Sequence, residues 1–162
     1  MDGCSDLGDL LERGEGVARD AVRALALFRR ACEGGSGAGC HNLGVRYHWG
    51  DGVARDDARA LELFGRACEV NSPGGCNDLG QVYLTGEGVP ADRPRAAALF
   101  RRACESEDME GCLNYSAVLR AGDGVPVNAV LADQILQNLC RSGSPEAPIA
   151  CARLRAVPDG GR

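Results

Sequence analysis

The stretch RACEGGSGAGC, residues 30–40, places two cysteines eight positions apart across a run of glycine and other small residues. It returns in altered form as RACEVNSPGGC at 66–76 and RACESEDMEGC at 102–112. The copies lie 36 residues apart, so the stretch is a joint between repeated units rather than a singular site. Self-similarity at a fixed period of this length marks a stacked-repeat architecture. Counted from each leading cysteine, the units are 4–39, 40–75, 76–111 and 112–150 within a single domain spanning 1–162. The first three are 36 residues long without gaps, and the fourth keeps register to Cys140 before gaining three residues ahead of Cys151.

Each unit reads as two helices. The first covers about nine residues, such as His41 to Trp49, with Leu43 and Tyr47 one turn apart on one face. Gly50 follows, the residue type that tolerates a left-handed helix end. A Gly-acid-Gly-Val turn comes next at 14–17, 50–53, 86–89 and 122–125. Asp20, Asp56, Asp92 and Asn128 then stand where an N-cap is needed. The second helices carry an apolar stripe in matching columns: Ala24, Leu27, Phe28 and Ala31; Ala60, Leu63, Phe64 and Ala67; Ala96, Leu99, Phe100 and Ala103. No segment alternates with period two, so no strand is predicted. One helix pair cannot bury such a stripe alone, but stacked copies can. The expected fold is all-α, a right-handed α/α solenoid of four helix-pair repeats. A capping helix over about 145–156, opened by Ser144 and Pro145, is expected to close it.

Composition narrows the chemistry. Only 4% of residues are aromatic, so the core must be built from Leu, Val and Ala. All 18 basic residues are Arg, which removes Schiff-base, Ser-x-x-Lys and P-loop lysine chemistry. A net charge of −5 gives no basic face for nucleic acid. No apolar run approaches the roughly 20 residues of a membrane span. The Gly-Glu-Gly-Val and Gly-Asp-Gly-Val turns look like pieces of a phosphate loop, but no strand precedes them and they recur in every unit, so they read as structural. The Arg pairs Arg29/Arg30 and Arg101/Arg102 close second helices, where positive charge suits the helix dipole, and read as a solvated outer face.

The recurring pattern Cys-x-Asn/Asp-Leu-Gly-x-x-Tyr/Leu…Gly-Glu/Asp-Gly-Val…Asp…Ala…Leu-Phe-x-x-Ala-Cys resembles the Sel-one-like repeat. More narrowly it is similar to the secreted, cysteine-rich bacterial branch called Hcp-type. Three units match almost column by column from Cys4 to Gly111. The fourth departs, with Tyr115 and Ser116 in place of Leu-Gly and with Asp133 and Gln134 inside its second helix. The resemblance implies a protein- or peptide-binding scaffold outside the cytosol, acting as a monomer without a cofactor. It also brings two alternatives: a penicillin-binding or weak β-lactamase activity, described for the Hcp-type branch, and an assembly factor of the mitochondrial intermembrane space. No Ser-x-x-Lys, Gly-x-Ser-x-Gly or His-Glu-x-x-His motif supports an enzyme.

The nine cysteines are expected mainly as disulfides. Eight residues across a turn can bring two Cα atoms to disulfide distance. The pairs are Cys32–Cys40, Cys68–Cys76, Cys104–Cys112 and Cys140–Cys151. Structural zinc and reduced buried thiols are the competing readings, but zinc needs four ligands at one point, and these pairs are spread along the chain. No metal site is therefore expected. The compartment that follows is the periplasm or the exterior. The opening MDGCSDLGDLLERG has no signal-peptide character, so a leader is expected outside this chain. Cys4 sits in the column of Cys40, Cys76 and Cys112, and its counterpart would lie upstream of Met1. An inert, half-exposed thiol is the alternative.

Function is sought on the first helices, which line the concave side of such solenoids. The column Asp6, Asn42, Asp78 and Asn114 could bond a peptide backbone or could fix helix packing. The variable neighbours Asp9, Glu12, Arg46, His48, Trp49, Gln81 and Arg120 are candidates for specificity. Trp49 is the single tryptophan, and its column otherwise holds Arg13, Thr85 and Ala121. It is expected either as a contact residue or as a local packing substitution. His41 and His48 stand two turns apart, about 10 Å along the axis, too far to chelate one ion.

Overall fold

The computed structural model describes residues 2–156. These form α1 (Asp2–Arg13), α2 (Ala21–Glu33), α3 (Gly37–Trp49), α4 (Asp57–Glu69), α5 (Pro73–Thr85), α6 (Arg93–Glu105), α7 (Met109–Ala121), α8 (Ala129–Arg141) and α9 (Ala147–Arg155). There is no strand among the described residues. Each helix packs on its neighbours in sequence, which makes the α/α solenoid expected from the repeat. Successive first helices, α1, α3, α5 and α7, also touch one another directly. Second helices reach across the repeat joints through long side chains: Arg66 donates to the Cys32 carbonyl at 3.2 Å, and Arg102 to Asn71 Oδ1 at 2.7 Å. Arg29, Arg30 and Arg101 stay on the solvated outer face, whereas Arg102 is partly buried.

Local chemistry accounts for the helix ends. The Asp20, Asp56 and Asp92 side chains each accept from the backbone amide three residues on at 3.0 Å, and Asn128 does the same for Leu131. Gly50, Gly86 and Gly122 end the first helices at φ of 70–77°, in left-handed conformation.

The first helices start earlier than apolar spacing alone indicates. The helix expected from His41 begins at Gly37, and its equivalents begin at Pro73 and Met109. Ser36 and Asp108 cap two of them, their side chains accepting from Gly39 and Gly111 at 3.2 and 2.6 Å. The cysteine therefore sits inside the first turn rather than ahead of it. The terminal helix is shorter than expected, 147–155, with Glu146 rather than Ser144 at its N-cap position.

All four cysteine pairs are bridged, with Cα–Cα distances of 4.4, 4.5, 4.3 and 4.9 Å in chain order. Three fasten a second helix to the next repeat's first helix, and Cys140–Cys151 fastens α8 to α9. Cys4 is unbridged among the described residues and half-buried.

The joint is tight rather than flexible. A Cβ built on Gly39, Gly75 or Gly111 would lie 2.5 Å from the Cβ of Ala31, Ala67 or Ala103. The last glycine of each joint thus answers a close helix approach, not a need for freedom. Gly75→Ala should cost about 1–2 kcal/mol, overpacking offset in part by better helix propensity. Gly65→Ala, at a helical site with nothing within 4 Å, should gain about 0.5–1 kcal/mol. Urea unfolding of both variants checks the pair, and equal effects would refute the packing argument.

Candidate functional site

The polar column on the first helices is largely engaged in holding repeats together. Asn42 Nδ2 donates to Asp9 Oδ1 at 2.9 Å, and Asn114 Nδ2 to Asn77 Oδ1 at 2.9 Å. Asn77 is 3% exposed, a buried amide whose carbonyl oxygen is satisfied by the next repeat. Asp78 Oδ2 lies 2.9 Å from His41 Nε2. Asp6 is exposed on α1. Arg46 pairs with Glu12 on α1 and with Asp51 in the following turn, so both its partners bind it to the frame. Arg120 pairs with Asp133, which explains why an acid enters the second helix of the fourth unit.

A different set converges on open space. His48, Trp49, Asp78 and Gln81 line one cleft of about 150 Å³, together with Val45, Phe64, Val82 and Glu87. Val45, His48 and Trp49 come from α3, and Asp78, Gln81 and Val82 from α5, so two adjacent first helices form its walls. Phe64 of α4 reaches it from the second-helix layer. Trp49 is 73% exposed, and its ring stands edge-on to His48 with centroids 4.8 Å apart. His48 is held from behind by Asp57 at 3.2 Å, and Asp57 in turn accepts from Arg55 at 2.9 Å. Hydrogen bonding to Arg55 holds the Asp57 carboxyl below the usual range.

The charge beside the cleft is unbalanced. Burial raises the Asp108 carboxyl above its ordinary range, opposed by the Gly111 amide and helped by the Asp78 charge. Burial, joined by the charges of Asp78, Asp108 and Glu146, also raises Glu110, although that residue as a whole is exposed. On the other side of Asn42, burial raises Asp9, against the pull of Arg13. Among the described residues, no three His, Cys, Asp or Glu side chains group to hold a metal ion, and no helix is long and apolar enough to cross a membrane.

The cleft unites four of the residues singled out in the sequence; Asn42, Asp9, Asn114, Arg46, Glu12 and Arg120 bond within the frame, and Asp6 is left exposed. It adds Val45, Val82, Phe64 and Glu87. Glu87 is the acid of the repeated turn, and Glu15, Asp51 and Asp123 occupy the same column, so nothing in the sequence sets it apart.

The Sel1 repeat family profile matches residues 2–36, 37–72 and 73–108. A Sel1 repeat protein from Oxalobacter formigenes superposes with a TM-score of 0.83 at 26% identity, over 93% of this chain and 60% of that one. A protective antigen of uropathogenic Escherichia coli with an SLR fold gives 0.81 at 30% identity, over 94% of this chain and 32% of that one. Helicobacter pylori cysteine rich protein B (hcpB) gives 0.65 at 30% identity, over 87% of this chain and 99% of that one. Curated proteins give no significant match.

Proposed function

We propose, from the premise that this chain belongs to the Sel1 repeat family, that it is an extracytoplasmic scaffold whose first-helix side binds a peptide or an extended protein segment. Sel1 repeat proteins act as protein-interaction scaffolds. The observation that carries the reading here is Trp49: a large aromatic ring, 73% exposed, on the rim of a cleft between two first helices. Tryptophan is among the residue types most enriched at binding hot spots. Direct contacts among first helices support reading that side as the inner one, and the concave face is the surface such stacks use for partners. The bridges support the compartment, because structural disulfides persist where thiols are not kept reduced. They also hold the groove in one shape, which lowers the ordering cost of binding.

Peptides selected from a random display library test the reading. Sequences enriched on the wild type should bind Trp49→Ala about tenfold more weakly, the loss of one modest hot spot. Arg29→Ala on the outer face should bind them unchanged. Selected peptides that are indifferent to Trp49 and sensitive to Arg29 would move the binding surface to the other side.

A further inference from the structure

We infer that the cleft beside Trp49 takes a cationic side chain, arginine first, from the segment the scaffold binds. This rests on the reading that the first-helix side is the binding side. The floor is apolar, formed by Val45, Phe64 and Val82, and about 150 Å³ is room for one long side chain rather than a backbone turn. An arginine stem has the length to cover such a floor while its head stays at the rim. At that rim stand one exposed indole and two carboxylates, Asp78 and Glu87. A guanidinium stacks on an indole face and donates to carboxylates at its edge, so one group answers all three features.

The cations already nearby leave this demand unmet. Arg55 is clamped on Asp57 through contacts of 2.9–3.1 Å. His48 also lies on Asp57, and His41 lies on Asp78. Asp57, Asp78 and Glu87 thus face a single permanent positive charge, Arg55, among the described residues. Behind Asp78, Asp108, Glu110 and Glu146 add three more carboxylates to the same field. An apolar side chain would fill the floor but cover Asp78 without a counter-charge, which is costly. An acidic one would be repelled.

Trp49 is the single tryptophan of the chain, so tryptophan emission reports events at the rim of this cleft. The probes are four mixtures of short acetylated peptide amides with randomised flanks and a fixed central residue: arginine, lysine, norleucine or glutamate. The arginine mixture should shift the emission at about tenfold lower concentration than norleucine, and added salt should erode that advantage. Asp78→Asn/Glu87→Gln should reduce the advantage to within about twofold, since the carboxylates supply the attraction. The side-chain amide introduced by Asp78→Asn still offers His41 an acceptor, and Glu87→Gln alone, on an exposed turn, should remove part of the advantage if the double variant melts early. Norleucine binding as well as arginine would overturn the inference and leave the scaffold reading intact. An arginine advantage that survives in the double variant would also overturn it. Silence from every mixture would end it as well; the scaffold reading falls separately, on display-selected peptides indifferent to Trp49.

Discussion

Reducing all four disulfides should unfold this protein at physiological temperature in the absence of denaturant. In the chain-entropy account, a loop closed by a bridge between residues eight apart contributes roughly 2.5 kcal/mol. Three bridges close such loops and Cys140–Cys151 closes one of eleven; together the four contribute on the order of 10 kcal/mol, which matches the whole stability of an ordinary domain. The core has little to set against that loss. Its buried members are mostly Ala, Leu and Cys, with one phenylalanine in each of the first three repeats. In a solenoid each repeat touches only its neighbours, so a loosened joint removes support on both sides. The bridges should not yield together. Cys32, Cys40, Cys68 and Cys76 are 1–3% exposed, whereas Cys104, Cys140 and Cys151 are partly open. Limiting reductant should therefore open Cys140–Cys151 and Cys104–Cys112 first, because exchange requires access to sulfur. Circular dichroism during titration with reductant, paired with mass analysis of alkylated thiols, follows both events. Helical signal and melting temperature that persist after complete alkylation of the eight bridge thiols would show that packing alone sustains the fold.

How much of this was readable in the sequence follows from which interactions are local. The capping acids and the left-handed glycines act within four residues, and the repeat printed each of them several times, so a pattern such as Gly50, Asp56 and Phe64 carried the helix pair. The bridges were readable for the same reason, since eight residues across one turn leave little geometric choice. The start of the first helix was obscured by Gly37 and Gly39, residues with low helix propensity that the fold uses for close packing against Ala31 and the Val70–Ser72 segment. Partners such as Asn42–Asp9 and Arg46–Glu12 lie 33–34 residues apart, and who meets whom depends on the offset between stacked helices. Column analysis marks those residues as polar and inward but cannot separate a tie between repeats from a free ligand-binding ladder. The cleft was readable where a column varies, as at Trp49 and His48, and hidden where the residue matched its column, as at Glu87.

The core itself predicts a coupled pair of substitutions. Phe28, Phe64 and Phe100 each lay a ring edge against a glycine of the partner helix. A Cβ on Gly8, Gly44 or Gly80 would come within 2.6–2.8 Å of that ring. In the fourth repeat the two columns change together: the glycine becomes Ser116 and the phenylalanine becomes Leu136, both nearly fully buried. The larger side chain on one helix is matched by a smaller one on the other, as close packing requires. Phe64→Ala should cost about 3–5 kcal/mol, because it empties the middle of the central repeat. Gly44→Ser alone should cost about 1–3 kcal/mol by forcing the ring aside. Gly44→Ser/Phe64→Leu should be more stable than the sum of its single variants by about 1 kcal/mol or more, since the residues touch and each change relieves the other. Urea unfolding of the wild type, Gly44→Ser, Phe64→Leu and the double variant closes the cycle; additive costs would mean that the two columns vary independently. Phe64 also lines the cleft beside Trp49, and its ring centroid lies 6.0 Å from that of His41 and 6.5 Å from that of His48. The same ring thus seats α3 on α4 and forms the floor on which a bound side chain would rest, so the double variant should keep the fold while weakening whatever occupies the cleft.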